Sequence, residues 1–125
     1  CFYMKLSRAQ IQYLLMIYDM LERGPVRLRD IAEAMQVSKP SVHGMEEQFV
    51  RLGLLEKRRY MPIQMTVEGK RVVKEYQKQL YVLSGHLEKS LYLPAAVAKE
   101  SAFILLGEWS EEYRNRVFLH LSQSQ

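Results

Sequence analysis

Three observations in the 125-residue sequence predict a mainly α-helical chain with one small β-hairpin. Apolar residues recur every three or four positions in six segments, the pattern of helices with one buried face. Between the third and fourth segments, residues 54–58 and 63–66 read as two short strands joined by the tip Arg59-Tyr60-Met61-Pro62. The second and third segments are short and separated only by Gln36-Val37-Ser38-Lys39, which makes them a tight helix-turn-helix pair.

The first helix spans residues 6–23. Ser7 supplies an N-cap hydroxyl, Ile11, Leu14, Leu15, Tyr18 and Leu21 share a face, and Gly24-Pro25 stops it. Val26-Arg27-Leu28 is an extended link. The second helix, residues 29–35, turns Ile31, Ala32 and Met35 inward and places Asp30 where a negative charge meets the positive end of the helix dipole. The third runs from about residue 40 to 52, with Ser38 or Lys39 at its cap and Pro40 in its first turn, where a missing N–H costs nothing. Val42, Met45, Phe49 and Leu52 form its buried face, and Gly53 ends it. Thr66 caps the fourth helix, residues 66–83, whose inner stripe is Val67, Val73, Tyr76, Leu80 and Leu83. Helices over residues 94–108 and 111–121 follow, the last capped by Ser110 with Glu111 and Glu112 in its first turn.

Composition narrows the function. No run approaches the ~18 apolar residues of a membrane span; the most apolar segment, residues 95–107, is broken by Lys99 and Glu100. A secretory signal is missing and Cys1 is the single cysteine, which predicts a cytoplasmic protein with no internal disulfide. Met4 reads as a candidate start, with residues 1–3 foreign. Residues 1–79 hold 14 Lys and Arg against 9 Asp and Glu, whereas residues 80–125 hold 4 against 5. A basic front half and a near-neutral back half imply an anionic partner for the first and packing for the second. The expected domains are residues 6–79 and 80–125.

Helix, helix, turn, helix, hairpin is the order of a winged helix-turn-helix, here followed by a helical dimerisation region. In that arrangement the second helix of the pair enters the major groove of DNA by its N-terminal end. The candidate DNA contacts are therefore Ser38, Lys39, Pro40, Ser41 and His43 at the start of the third helix, and Arg58, Arg59 and Tyr60 on the wing. Hydroxyls, a lysine and arginines are the side chains that reach base edges and phosphates. Catalysis is not expected: His and Ser lack a placed acid, and no glycine-rich phosphate loop occurs.

RDIAEAMQVSKPSVHGMEEQFVRLGLLEKRRYMPIQMTVEGKRV, residues 29–72, resembles the DNA-binding domain of the metal-dependent DtxR/MntR repressors. The resemblance rests on Asp30 to Met35, on Ser41 to Leu54, on Met65-Thr66-Val67-Glu68-Gly69 and on Tyr13 to Tyr18. It implies a homodimer built from the C-terminal helices and a palindromic operator. It also implies Mn or Fe held by carboxylates of the first helix, a His after the wing and a Glu-x-x-Glu-His array. The matching positions here are Gln12 and Leu15, Leu80 or Tyr81, and Phe103, Leu106 and Gly107, and hard oxygen donors are missing from them. The expected protein is thus a homodimeric, metal-independent, sequence-specific transcriptional regulator, a repressor in type, with no cofactor. The alternatives are Mn or Fe at a relocated site near His86, Glu108, Glu111 and Glu112, a small-molecule-responsive repressor of the DtxR/MntR or MarR type, or a winged-helix protein-interaction module.

Overall fold

The computed structural model describes residues 5–123; the readings of Cys1 and Met4 lie outside them. The elements are α1 (Arg8–Leu21), α2 (Leu28–Met35), α3 (Lys39–Arg51), β1 (Leu55–Glu56), β2 (Gln64–Met65), α4 (Val67–Leu91), α5 (Ala95–Glu108) and α6 (Glu111–Gln123). Leu55 pairs with Met65 and Glu56 with Gln64 in an antiparallel hairpin. The fold is the winged helix-turn-helix with helices after it. Its residues gather into two compact units, one over Tyr13–Lys74 and one joining the residues up to Gln12 with those from Glu75 onward.

In the first unit each helix starts where its side chains satisfy free backbone donors. Asp30 Oδ2 accepts from the Arg27 N–H (2.9 Å) at the head of α2. Gln36, in left-handed geometry (φ 57°), closes that helix. Ser38, not Lys39, caps α3: its Oγ accepts from the Ser41 N–H (3.3 Å). Thr66 binds the wing to α4. Its hydroxyl accepts from the Gly69 N–H (2.9 Å) and donates to the Gly53 carbonyl (2.7 Å). Leu14, Ile17, Ile31, Val42, Phe49, Leu54 and Ile63 fill the core. Phe49 alone contributes about 2–3 kcal/mol by burial.

Three sequence expectations are corrected here. On α3 the buried line is Val42, Glu46, Phe49, whereas Met45 is half-buried and Leu52 is exposed. Leu52 lies past the last helical residue, and Gly53 (φ 77°) turns the chain so that Leu54 enters the core instead. On α4 Val67 is 88% exposed. The inner face runs through Gly69, Val73 and Tyr76, and position 67 points away from that stripe. Helix α4 also continues well past residue 83, because nothing in 84–91 breaks it.

In the second unit Ser7 and Gln10 form a reciprocal cap on α1: Gln10 N–H donates to Ser7 Oγ (3.2 Å) and Ser7 N–H to Gln10 Oε1 (2.9 Å). Gly107 lets the start of α1 lie against α5; a Cβ there would stand 2.6 Å from the Arg8 nitrogen. Arg114, only 3% exposed, is surrounded by α4 and the end of α5. Its Nε donates to Gln79 Oε1 (3.3 Å), its Nη1 to the Trp109 carbonyl (3.3 Å), and its guanidinium lies 4.7 Å from the Tyr76 ring centre. Hydrogen bonds and an aromatic face hold this cation in place of a carboxylate.

Candidate nucleic-acid interface

The cap at Ser38 sets what α3 offers at its free end. Ser38, Lys39, Pro40, Ser41 and His43 are all exposed. The two serine hydroxyls lie 2.9 Å apart, so the tip carries one joined hydroxyl pair beside the Lys39 ammonium. His43 Nδ1 is 3.4 Å from Glu47 Oε1, one turn along the same face, and a protonated ring pairs with that carboxylate. Val42 and Phe49 anchor the opposite face, leaving the polar face of α3 to solvent.

On the wing, Tyr60 adopts left-handed geometry (φ 64°) and is 81% exposed at the tip. Lys57 Nζ donates to the Met61 carbonyl and closes the loop. Arg59 lies 5.2 Å over the Tyr60 ring. Arg58 is not free: Nη2 and Nε sit 2.9 and 3.0 Å from Glu56 Oε1. The structure therefore brings the candidates together in two clusters within one unit, the helix tip and the wing. Sequence reasoning missed Lys57 as the residue that shapes the wing, and it missed Glu56 as the partner of Arg58; their i to i+4 and i to i+2 spacings were the available signals.

It also missed Glu46. This carboxyl is 5% exposed on the inner face of α3, and its Oε2 has no hydrogen-bond partner among the described residues. Burial pushes its pKa up; Lys57 and His43 pull it back, and Glu47 adds to the rise. A carboxyl whose folded pKa is raised binds more protons folded than unfolded. Its contribution is most favourable below the ordinary glutamate range and is lost as pH rises through the folded value. Glu46→Gln should therefore be more stable than the parent at pH 8, by about 1–2 kcal/mol. The gain should shrink toward pH 4 in urea unfolding, and a gain equal at both pH values would contradict this account.

Metal fits poorly at the positions the resemblance marks. Gln12, Leu15 and Leu80 are half-buried, Tyr81 is exposed, and Phe103 and Leu106 are buried. Gly107 is occupied against the Arg8 backbone. That set offers a single amide and a phenol, where Mn or Fe takes carboxylate and imidazole. Among the described residues no three His, Cys, Asp or Glu side chains gather. His86 is exposed, its ring nitrogens 3.3 and 3.5 Å from Ser90 Oγ. Also among the described residues, no helix is long and apolar enough to cross a membrane.

Residues 5–62 match the model of the iron dependent repressor, N-terminal DNA binding domain. Among curated proteins no sequence matches. Solved structures do. The hypothetical protein SSo2273 from Sulfolobus solfataricus is similar at 22% identity over 94% of this chain and 91% of that one (TM-score 0.75). The manganese regulator SloR is similar at 24% over 95% and 55% (TM-score 0.76). IdeR of T. acidophilum is similar at 21% over 90% and 53% (TM-score 0.66). The chain thus spans most of the Sulfolobus protein and about half the length of the two named regulators. At these identities the likeness shows the fold. Through its winged-helix segment, residues 5–62, the chain is similar to the iron dependent repressor, N-terminal DNA binding domain.

Proposed function

We propose that this protein is a homodimeric transcriptional repressor that binds a palindromic operator in double-stranded DNA, in the cytoplasm, and takes up its binding form without metal. The observation that carries the reading is the free tip of α3: a Ser38–Ser41 hydroxyl pair with Lys39 and Pro40 exposed on a helix whose other face is fixed in the core. The tip enters the major groove, His43 follows it, and Arg58, Arg59 and Tyr60 meet the flanking backbone. Two copies present two tips to successive major grooves ~34 Å apart. A partner for the helical unit is supported by α5, whose outer residues Val97 and Ile104 are exposed, and by exposed Leu91, Tyr113 and Leu119. The direct test is titration of the protein with duplex DNA at several salt concentrations. Binding that falls steeply with salt and saturates on one palindrome supports the reading, and no duplex binding would favour a protein-interaction module.

On the wing, replacing Arg58 and Arg59 with Ala should weaken binding to all sequences alike and lower the salt slope by at most about two. Arg58 must leave Glu56 to meet a phosphate, so its share of that slope should be the smaller. A loss confined to one sequence would show that the wing reads bases.

Metal independence rests on the apolar residues at the marked positions. Melting temperature and operator affinity should be unmoved by Mn, Fe, Co or Zn and by chelator. A rise in either with micromolar Mn or Fe, reversed by chelator, would place a metal site elsewhere, first among His86, Glu108, Glu111 and Glu112.

A further inference from the structure

Arg114 of the helical unit carries a full positive charge, is 3% exposed and has no carboxylate paired with it among the described residues. A buried carboxyl can shed its charge by taking up a proton, but a guanidinium cannot give its proton away. Of its N–H donors, Nε serves Gln79 Oε1 and Nη1 serves the Trp109 carbonyl, both at 3.3 Å. Nη2 makes no hydrogen bond among the described residues. The Tyr76 ring offers only the partial negative charge of its face.

The guanidinium lines a cavity of about 10 Å³ among α4, α5 and α6, with room for one water-sized body. Val82, Leu106, Val117 and Leu121 make its walls apolar, Gln79 and Trp109 bring the remaining polar atoms, and no lining residue is acidic. The charges of Glu75 and Glu111 are felt at Tyr76, but neither residue lines the cavity.

We infer that this cavity binds a single small monovalent anion, chloride in a cell, against the Arg114 guanidinium. Chloride is held by donors alone and brings the opposite charge, whereas a water meets the donors and leaves the charge unanswered. Phosphate, sulfate and carboxylic acids need more room than one water takes. The ion ties α6, which carries Arg114, to the Gln79 stretch of α4, so chloride stabilises the helical unit by mass action. The site lies within one copy of the chain and is independent of DNA binding.

The test uses the full chain and the variant Gln79→Glu, which sets a fixed carboxylate where Arg114 Nε already donates. Asn115, whose Oδ1 accepts from Gln79 Nε2 (3.1 Å), can turn its amide over to donate instead. Exchanging sodium glutamate for sodium chloride at constant ionic strength should raise the parent's melting temperature toward a plateau. The rise should be about 3–6 °C once chloride exceeds its Kd about tenfold. Gln79→Glu should melt at one temperature in both salts. Parent crystals soaked in bromide should show an anomalous peak against the Arg114 guanidinium, and this decides the matter should Gln79→Glu fail to fold. No bromide there, a parent insensitive to chloride, a rise without a plateau, or an equal rise in Gln79→Glu would each overturn the site.

Discussion

Gly69→Ala will lower stability by about 3 kcal/mol or more. A Cβ at this position would stand 2.1 Å from the Leu54 carbonyl oxygen and 2.7 Å from Met65 Cγ. The first obstacle is backbone, and it is held: the Leu54 carbonyl accepts from the Thr66 N–H (3.1 Å). Relief requires α4 to withdraw from the exit of α3, which opens the joint on which the wing is hung. Gly85→Ala is the control. It lies within the same helix with nothing within 4 Å of the added Cβ, and it should raise stability by about 0.5–1 kcal/mol through the entropy of the unfolded chain. Thermal melts of the two variants should move in opposite directions. A Gly69→Ala protein that melts with the parent would show that the contact yields cheaply.

Lys39→Ala and Ser41→Ala should each weaken operator binding by about 1–3 kcal/mol, roughly five- to 150-fold, while the melting temperature stays within a few degrees of the parent. The choice of residues follows from the cap. Ser38 Oγ receives the Ser41 backbone N–H, so Ser38→Ala would loosen α3 by about 1 kcal/mol and confuse folding with recognition. Ser41→Ala keeps that backbone donor and removes only a hydroxyl. If Ser41 reads a base, its loss will relax sequence choice at one position of each half-site; if Lys39 meets a phosphate, its loss will be uniform across sequences. Unchanged affinity in both would remove the tip of α3 from the interface.

The order of helices and the hairpin could be read from the sequence because each boundary carries a local chemical cause. Ser7, Ser38 and Thr66 make the cap bonds their positions promise, and Asp30, expected only as a charge at the helix dipole, also accepts the Arg27 N–H. What could not be read depends on contacts made far along the chain. Periodicity on α3 admits Met45 or Glu46 as the inward residue, and apolarity favours Met45; packing chose the carboxyl. Arg114 looks like an exposed charge in the first turn of a capped helix until Gln79, Tyr76 and the Trp109 carbonyl are seen around it. Within the candidate interface, exposure of the tip residues was foreseeable, but the Glu56 clamp on Arg58 was not, since side-chain pairing across two residues of a wing depends on how the hairpin twists.

The seating of Arg8 against Gly107 has a consequence for the order in which the protein is made. The beginning of α1 packs on a helix near the other end of the chain, so this contact closes a loop of nearly the whole sequence. Such closure comes late, because its entropy must be met before the contact returns anything. On the ribosome, at ~5–20 residues per second, the segment around Ser7 and Arg8 leaves the tunnel several seconds before Gly107 exists to receive it. The winged-helix core between residues 13 and 74 has all of its own partners by then and can form first. The Arg8 backbone must wait in solvent or in a chaperone's grip until Gly107 of α5 arrives.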